Sequence, residues 1–198
     1  MAKTATLLEA KDYATALGLA DRSISEMVEH LGPGDGATKW FCVMLVHKAL
    51  ALAGLGKKND ALWYWHEVLS MYSKFSETDL TSFGEAGAFL KANITPARAE
   101  PFTRDPSEPF TPPRPIRRVK PKFPPGAADF SVEGTLVVEV VLGKDGHAKS
   151  PRIVQPLEAP TLSHAALEAV RRWEFEPAKV AGVPVEVIYH ATIIYKMP

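Results

Sequence analysis

The sequence predicts an α+β protein: an N-terminal antiparallel helical, repeat-like bundle, a Pro-rich linker, and a C-terminal ββαβ domain with a small antiparallel sheet. Three observations predict it. Apolar residues recur at helical spacing up to about residue 94. Ten of the 17 prolines fall between Pro96 and Pro125. Beyond them the apolar period shortens to two, with β-branched residues dominant. The boundaries read as 1–94 for the helical body, 95–120 for the linker and 121–198 for the C-terminal body.

In the helical body, Tyr13, Ala16, Leu17, Ala20, Ile24 and Met27 share one helix face. Phe41, Met44, Leu45, Lys48, Leu52 and Leu55 form a second stripe, and Leu62, Trp65, Leu69 and Tyr72 a third. "LGPGDGAT" and "GLGKKND" break the helices, and "DLTSFGEAGAFLKAN" adds a last amphipathic piece. "EAKDYATAL" and "GLGKKNDAL" echo each other, with Ala16 and Ala61 at matching places. A small residue there lets antiparallel helices approach closely. The pattern resembles a tetratricopeptide repeat with a longer internal loop; the alternative is an ordinary helical bundle. Only about two turns precede "KDY", so the expectation is that the chain begins partway through a repeat and that upstream sequence is missing.

Proline removes backbone donors and clashes with a preceding helical turn, so the linker is expected to be extended. It holds the basic excess. Net charge is −2 over residues 1–94, +4 over 95–124 and −2 over 125–198. The zero total argues against a general nucleic-acid or membrane-surface binder. Few contacts are expected to cross such a linker.

In the C-terminal body, "GTLVVEVVLGKDGHAKSPRIV" reads as two strands around a turn, with Asp145 and Gly146 supplying the positive-φ positions. "PTLSHAALEAVRRW" reads as a helix capped by Thr161 or Ser163, with Leu162, Ala166, Ala169, Val170 and Trp173 on one face. Trp173 and Phe175 are expected core anchors. A final strand alternates Val183, Val185, Val187, Tyr189, Ala191, Ile193 and Tyr195 against Pro184, Glu186, Ile188, His190, Thr192, Ile194 and Lys196. A three-stranded sheet has two edges, and this terminal strand is guarded only by Glu186 and Lys196.

Residues 121–198 resemble the C-terminal domain of TonB-type energy transducers. The resemblance rests on Phe123-Pro124, the strand from Gly134, the Asp145-Gly146 turn, the Trp173, Phe175, Pro177 and Ala178 signature, and Gly182 with Pro184 before the last strand. It implies a periplasmic location, with a signal or anchor missing upstream. It implies that the last strand, at Glu186, Val187, Ile188, Tyr189, His190, Ala191 and Thr192, takes a peptide of a TonB-dependent outer-membrane receptor by strand addition. A second protein partner on the helical body is a further expectation. The alternative is an envelope assembly adaptor that binds another protein or cell-wall material without energy transduction.

No enzyme, cofactor or metal is expected. The six histidines show no metal-ligand spacing, and "HEVLS" at His66 lacks a second His four positions on. The single cysteine, Cys42, sits in an apolar run and reads as a small core residue. No apolar run reaches the length of a bilayer span.

Overall fold

A computed structural model describes residues 2–95 and 107–196. The first part of the proline-rich stretch, residues 96–106, lies outside the described residues. The architecture is α+β, as the periodicities predict.

Five helices come first: α1 (Ala2–Glu9), α2 (Tyr13–His30), α3 (Asp35–Gly54), α4 (Lys58–Met71) and α5 (Gly84–Ala92). Asp12 caps α2 by accepting from the Thr15 amide at 3.2 Å. The predicted stripe of α2 is the face it buries, through Ala16, Ala20 and Ile24. α3 departs from its predicted single stripe. Phe41, Cys42, Met44, Leu45, Val46, Ala49, Leu50, Ala51 and Leu52 are all buried, because α2, α4, α5 and a later helix, Pro160–Val170, surround it. Among its predicted face residues, Leu55 is exposed.

The proline-rich stretch is partly structured. β1 (Phe110–Thr111) and β2 (Arg114–Arg117) lie within residues read as linker. A short helix, α6 (Pro125–Asp129), then leads into β3 (Gly134–Leu142) and β4 (Ala148–Gln155). Next come α7 (Pro160–Val170), β5 (Glu174–Glu176), β6 (Lys179–Val180), β7 (Val183–Pro184) and β8 (Val187–Tyr195). The main sheet has the order β4-β3-β8, all antiparallel. β2 pairs with β5, and β1 pairs with β6, which pairs with β7.

The β3–β4 hairpin turns at Asp145 and Gly146, but of the two only Gly146 has a positive φ; Asp145, contrary to the sequence reading, does not, and its side chain accepts from the His147 amide at 3.1 Å. Gly146 has φ +79°, and a Cβ there would lie 1.9 Å from the Phe175 carbonyl oxygen. Glycine is required on both counts. α7 begins at Pro160 with Ala159 as its cap and no side-chain capping bond. Thr161 and Ser163 therefore do not cap it, contrary to the sequence reading. Both are buried inside the helix, and their hydroxyls have no hydrogen-bond partner. Proline at the first helical position already dispenses with one donor that a cap would satisfy. Trp173 lies beyond the end of α7, yet it is buried, as is Phe175.

The expectation of few contacts between the two bodies does not hold. One apolar core runs from Leu8 through Leu45, Trp65, Leu136 and Leu162 to Tyr195. α4 carries this continuity. Its predicted stripe includes the fully buried Trp65, but Trp63, Tyr64, His66 and Glu67 on its other sides are buried too. Tyr64 and Glu67 bond to Glu168 and His164 of α7, His66 bonds to the Asn93 carbonyl, and α4 as a whole lies against β4. Gly126 of α6 sits where a Cβ would come within 2.8 Å of the Leu31 backbone at the end of α2, so the two bodies touch main chain to main chain.

Candidate functional site

The main sheet has two edge strands, and they have different fates. β4 lies against α4 of the helical body. β8 pairs along its whole length with β3, from Gly134↔Tyr195 to Leu142↔Val187. Among the described residues no strand lies on its other side. An unpaired edge presents alternate backbone N–H and C=O groups to whatever extended chain can reach them.

The predicted alternation holds within β8. Val187, Ala191, Ile193 and Tyr195 are buried, Tyr189 is half-buried, and Ile188, His190, Thr192 and Ile194 are exposed. It does not extend upstream as one strand. Val183 and Pro184 belong to β7, and Val183 is exposed. Glu186 precedes β8 and pairs with Lys149 of β4. Thus Val187, Ile188, Tyr189, His190, Ala191 and Thr192 fall on the edge strand itself, and Glu186 on its approach.

The inward side chains fix β8 in place. Tyr195 Oη donates to the Leu162 carbonyl of α7 at 2.9 Å, and burial pushes its phenol pKa up. Phe123 meets the Tyr195 ring edge-on at 5.6 Å. Tyr189 packs edge-on against Phe175 at 5.1 Å. The outward face carries a ladder across all three strands. Arg152 donates two bonds of 3.0 Å to Glu139, and His190 Nε2 lies 3.1 Å from Glu139 Oε2. The Arg152 hydrogen bond holds the Glu139 carboxyl below the usual range, against a smaller effect of burial.

Sequence reasoning missed the contribution of Arg118. Residues 95–120 read as an extended linker, yet Arg118 lies over the rings of Trp173 and Phe175 and donates to Tyr189 Oη. Trp173 Nε1 donates to the Val119 carbonyl at 2.8 Å. Arg118–Pro121 and Thr192–Tyr195 thereby line a cleft of about 530 Å³ beside the C-terminal half of β8. The only sequence signal was a cluster of cations close to two aromatic signature residues.

Other chemistry is sparse. Among the described residues no group of three or more His, Cys, Asp or Glu could hold a metal. Burial, with the Glu67 charge adding to it, raises the Cys42 thiol pKa, so it is no thiolate nucleophile. No described helix is long and apolar enough to cross a membrane.

The C-terminal body thus combines a ββαβ order, a terminal strand that no strand pairs on its far side among the described residues, and the packed Trp173–Phe175 rings. Residues 119–197 match the family described as Gram-negative bacterial TonB protein C-terminal. The chain is similar to protein TonB of Vibrio cholerae, 31% identical over 80 residues, which is 40% of this chain and 33% of that protein. It is 29% identical over 78 residues to protein TonB of Escherichia coli, covering 39% and 33% of the two chains. The corresponding figures for protein TonB of Klebsiella pneumoniae are 29% over 99 residues, covering 48% and 41%. The chain thus spans between a third and about two fifths of the length of these relatives. These matches support a TonB-type interaction domain in the C-terminal body.

Proposed function

We propose that this chain is a periplasmic interaction module of TonB type. Its β8 edge accepts an extended peptide from an outer-membrane transporter by strand addition. The observation that carries the reading is the contrast between the two sheet edges: β4 lies against α4, whereas β8 is unpaired on its far side among the described residues. Main-chain pairing supplies affinity in such a mode, and alternate side chains supply choice. Ile188, His190 and Thr192 on the exposed face, with Tyr189 and Ala191 between them, are the residues an added strand would run beside. The helical body, with its Ala16 and Ala61 echo, is proposed as a repeat-like platform that holds the sheet and presents its free edge.

Proline scanning tests the mechanism. Neighbouring N–H groups along β8 point to opposite sides, so Ile188→Pro and Tyr189→Pro should differ. One removes a donor from the β3 ladder and should unfold the domain. The other removes an outward donor, which an edge strand tolerates, and should abolish peptide binding with the circular dichroism spectrum intact. Titration uses synthetic peptides from the periplasm-facing segment of candidate TonB-dependent receptors. If both variants fold and bind like the parent, strand addition at β8 is wrong.

A further inference from the structure

The junction between the two bodies holds a buried ionisable pair. His164 of α7 places Nδ1 2.8 Å from Glu67 Oε1 of α4. Glu67 is fully buried, and its second oxygen, Oε2, has no hydrogen-bond partner. Phe41 of α3 closes the site edge-on, 5.3 Å from the imidazole, and Tyr64 lies 6.4 Å away. A carboxylate that is buried with one oxygen unpartnered is costly unless a positive charge neutralises it.

We propose that His164 and Glu67 form a proton-dependent clamp, which holds the helical body against the C-terminal body while the imidazole is a cation. A neutral imidazole keeps the hydrogen bond but leaves the carboxylate charge uncompensated among Phe41, Cys42 and Tyr64. The surrounding charges favour the cation. Burial opposes protonation of His164, but the Glu67 charge and hydrogen bond, with Glu168 of α7 behind them, outweigh burial and the opposing Lys48 of α3, and the pKa is raised. Lys48 is itself engaged with Asp21 at 2.8 Å. Cys42 of α3 stays a neutral thiol. A raised pKa means that the stabilisation is complete below the ordinary value of 6.5 and is lost as pH rises through the folded value. The rest of the junction has polar contacts of its own. Arg171 pairs with Asp60 and donates to Tyr64 Oη at 2.9 Å, while Tyr64 donates to Glu168 at 3.0 Å. Deprotonation therefore loosens the junction without dissolving it.

The experiment uses the full chain. NMR titration of the His164 imidazole is expected to give a pKa above 6.5, and Glu67→Gln to lower it. Hydrogen exchange at the amides of Trp63–Val68, corrected for intrinsic rates, should lose about tenfold or more in protection between about pH 6 and about pH 9. His164→Gln, which keeps a hydrogen-bonding side chain of similar reach, should hold that ratio within about twofold. A His164 pKa at or below 6.5 in the parent chain overturns the proposal, whether or not the variants fold. So does a His164→Gln variant that folds and keeps the parent's pH response.

Discussion

Trp173 Nε1 donates to the Val119 carbonyl at 2.8 Å, so the aromatic anchor of the C-terminal body also fastens the incoming proline-rich chain. The indole is almost wholly buried and packs against Phe175 at 6.2 Å. Arg118, one residue before the acceptor, lies over the same ring at 5.3 Å. Trp173→Ala should cost about 3–5 kcal/mol of stability, the range for truncating a buried large aromatic. Trp173→Phe keeps most of the apolar contact and loses the donor. It should cost less in urea denaturation while still releasing Arg118–Pro121, seen as faster exchange there. Equal losses in both variants would mean that the hydrogen bond to Val119, rather than the ring's packing, accounts for the cost.

Gly146→Ala should destabilise the C-terminal body by about 2 kcal/mol or more, adding backbone strain to a main-chain collision. The Cβ would meet the Phe175 carbonyl, and its φ of +79° lies where an alanine is strained. Thermal melting measures this directly. A melting temperature within a degree or so of the parent's would show that the hairpin can draw away from β5 at little cost.

Glu139 gives the sheet an acid-side weakness. Its pKa is depressed by the Arg152 hydrogen bond. The associated stability is present above the ordinary value of 4.5 and is lost as pH falls through the depressed folded value. Arg152→Ala should therefore flatten the acid limb of the stability curve, measured by chemical denaturation at several pH values. His47 and His66 act in the same direction from another place. Burial lowers His47 to about 4 and also lowers His66, against the latter's hydrogen bond with the Asn93 carbonyl. They withdraw stability as pH falls below 6.5 toward the lowered values. An unchanged acid limb in Arg152→Ala would assign that limb to the two histidines.

The shared core makes a prediction about severing the chain. With a protease site inserted between residues 96 and 106 and cut, the two fragments should co-elute in gel filtration at neutral pH. The junction has Glu67 with His164, Asp60 with Arg171, and the Gly126–Leu31 contact to hold it. Fragments that separate at once would show that the covalent link, rather than this packing, keeps the bodies together.

Local pattern determined much of this protein. The period of two over Gly134–Leu142 and Val187–Tyr195 predicted which side chains face the core, because alternate residues of a strand must point to opposite faces. Gly146 predicted the hairpin, because few other residues adopt its positive φ. The helical stripes of α2 and the apolar run of α3 predicted a bundle. Tertiary structure alone decided the rest. Glu67 and Tyr64 look like a polar helix side in sequence, yet both are buried against α7, about a hundred residues on, through His164 and Glu168. Arg118 looks like a linker charge until Trp173, Phe175 and Tyr189 converge on it. The difference between the two sheet edges is a tertiary outcome too: sequence predicts a three-stranded sheet with two edges, whereas in the fold α4 lies against β4, and no strand among the described residues pairs with the far side of β8. Periodicity reports which face of an element is apolar, whereas a buried charge or a covered edge depends on the partner that the fold brings to it.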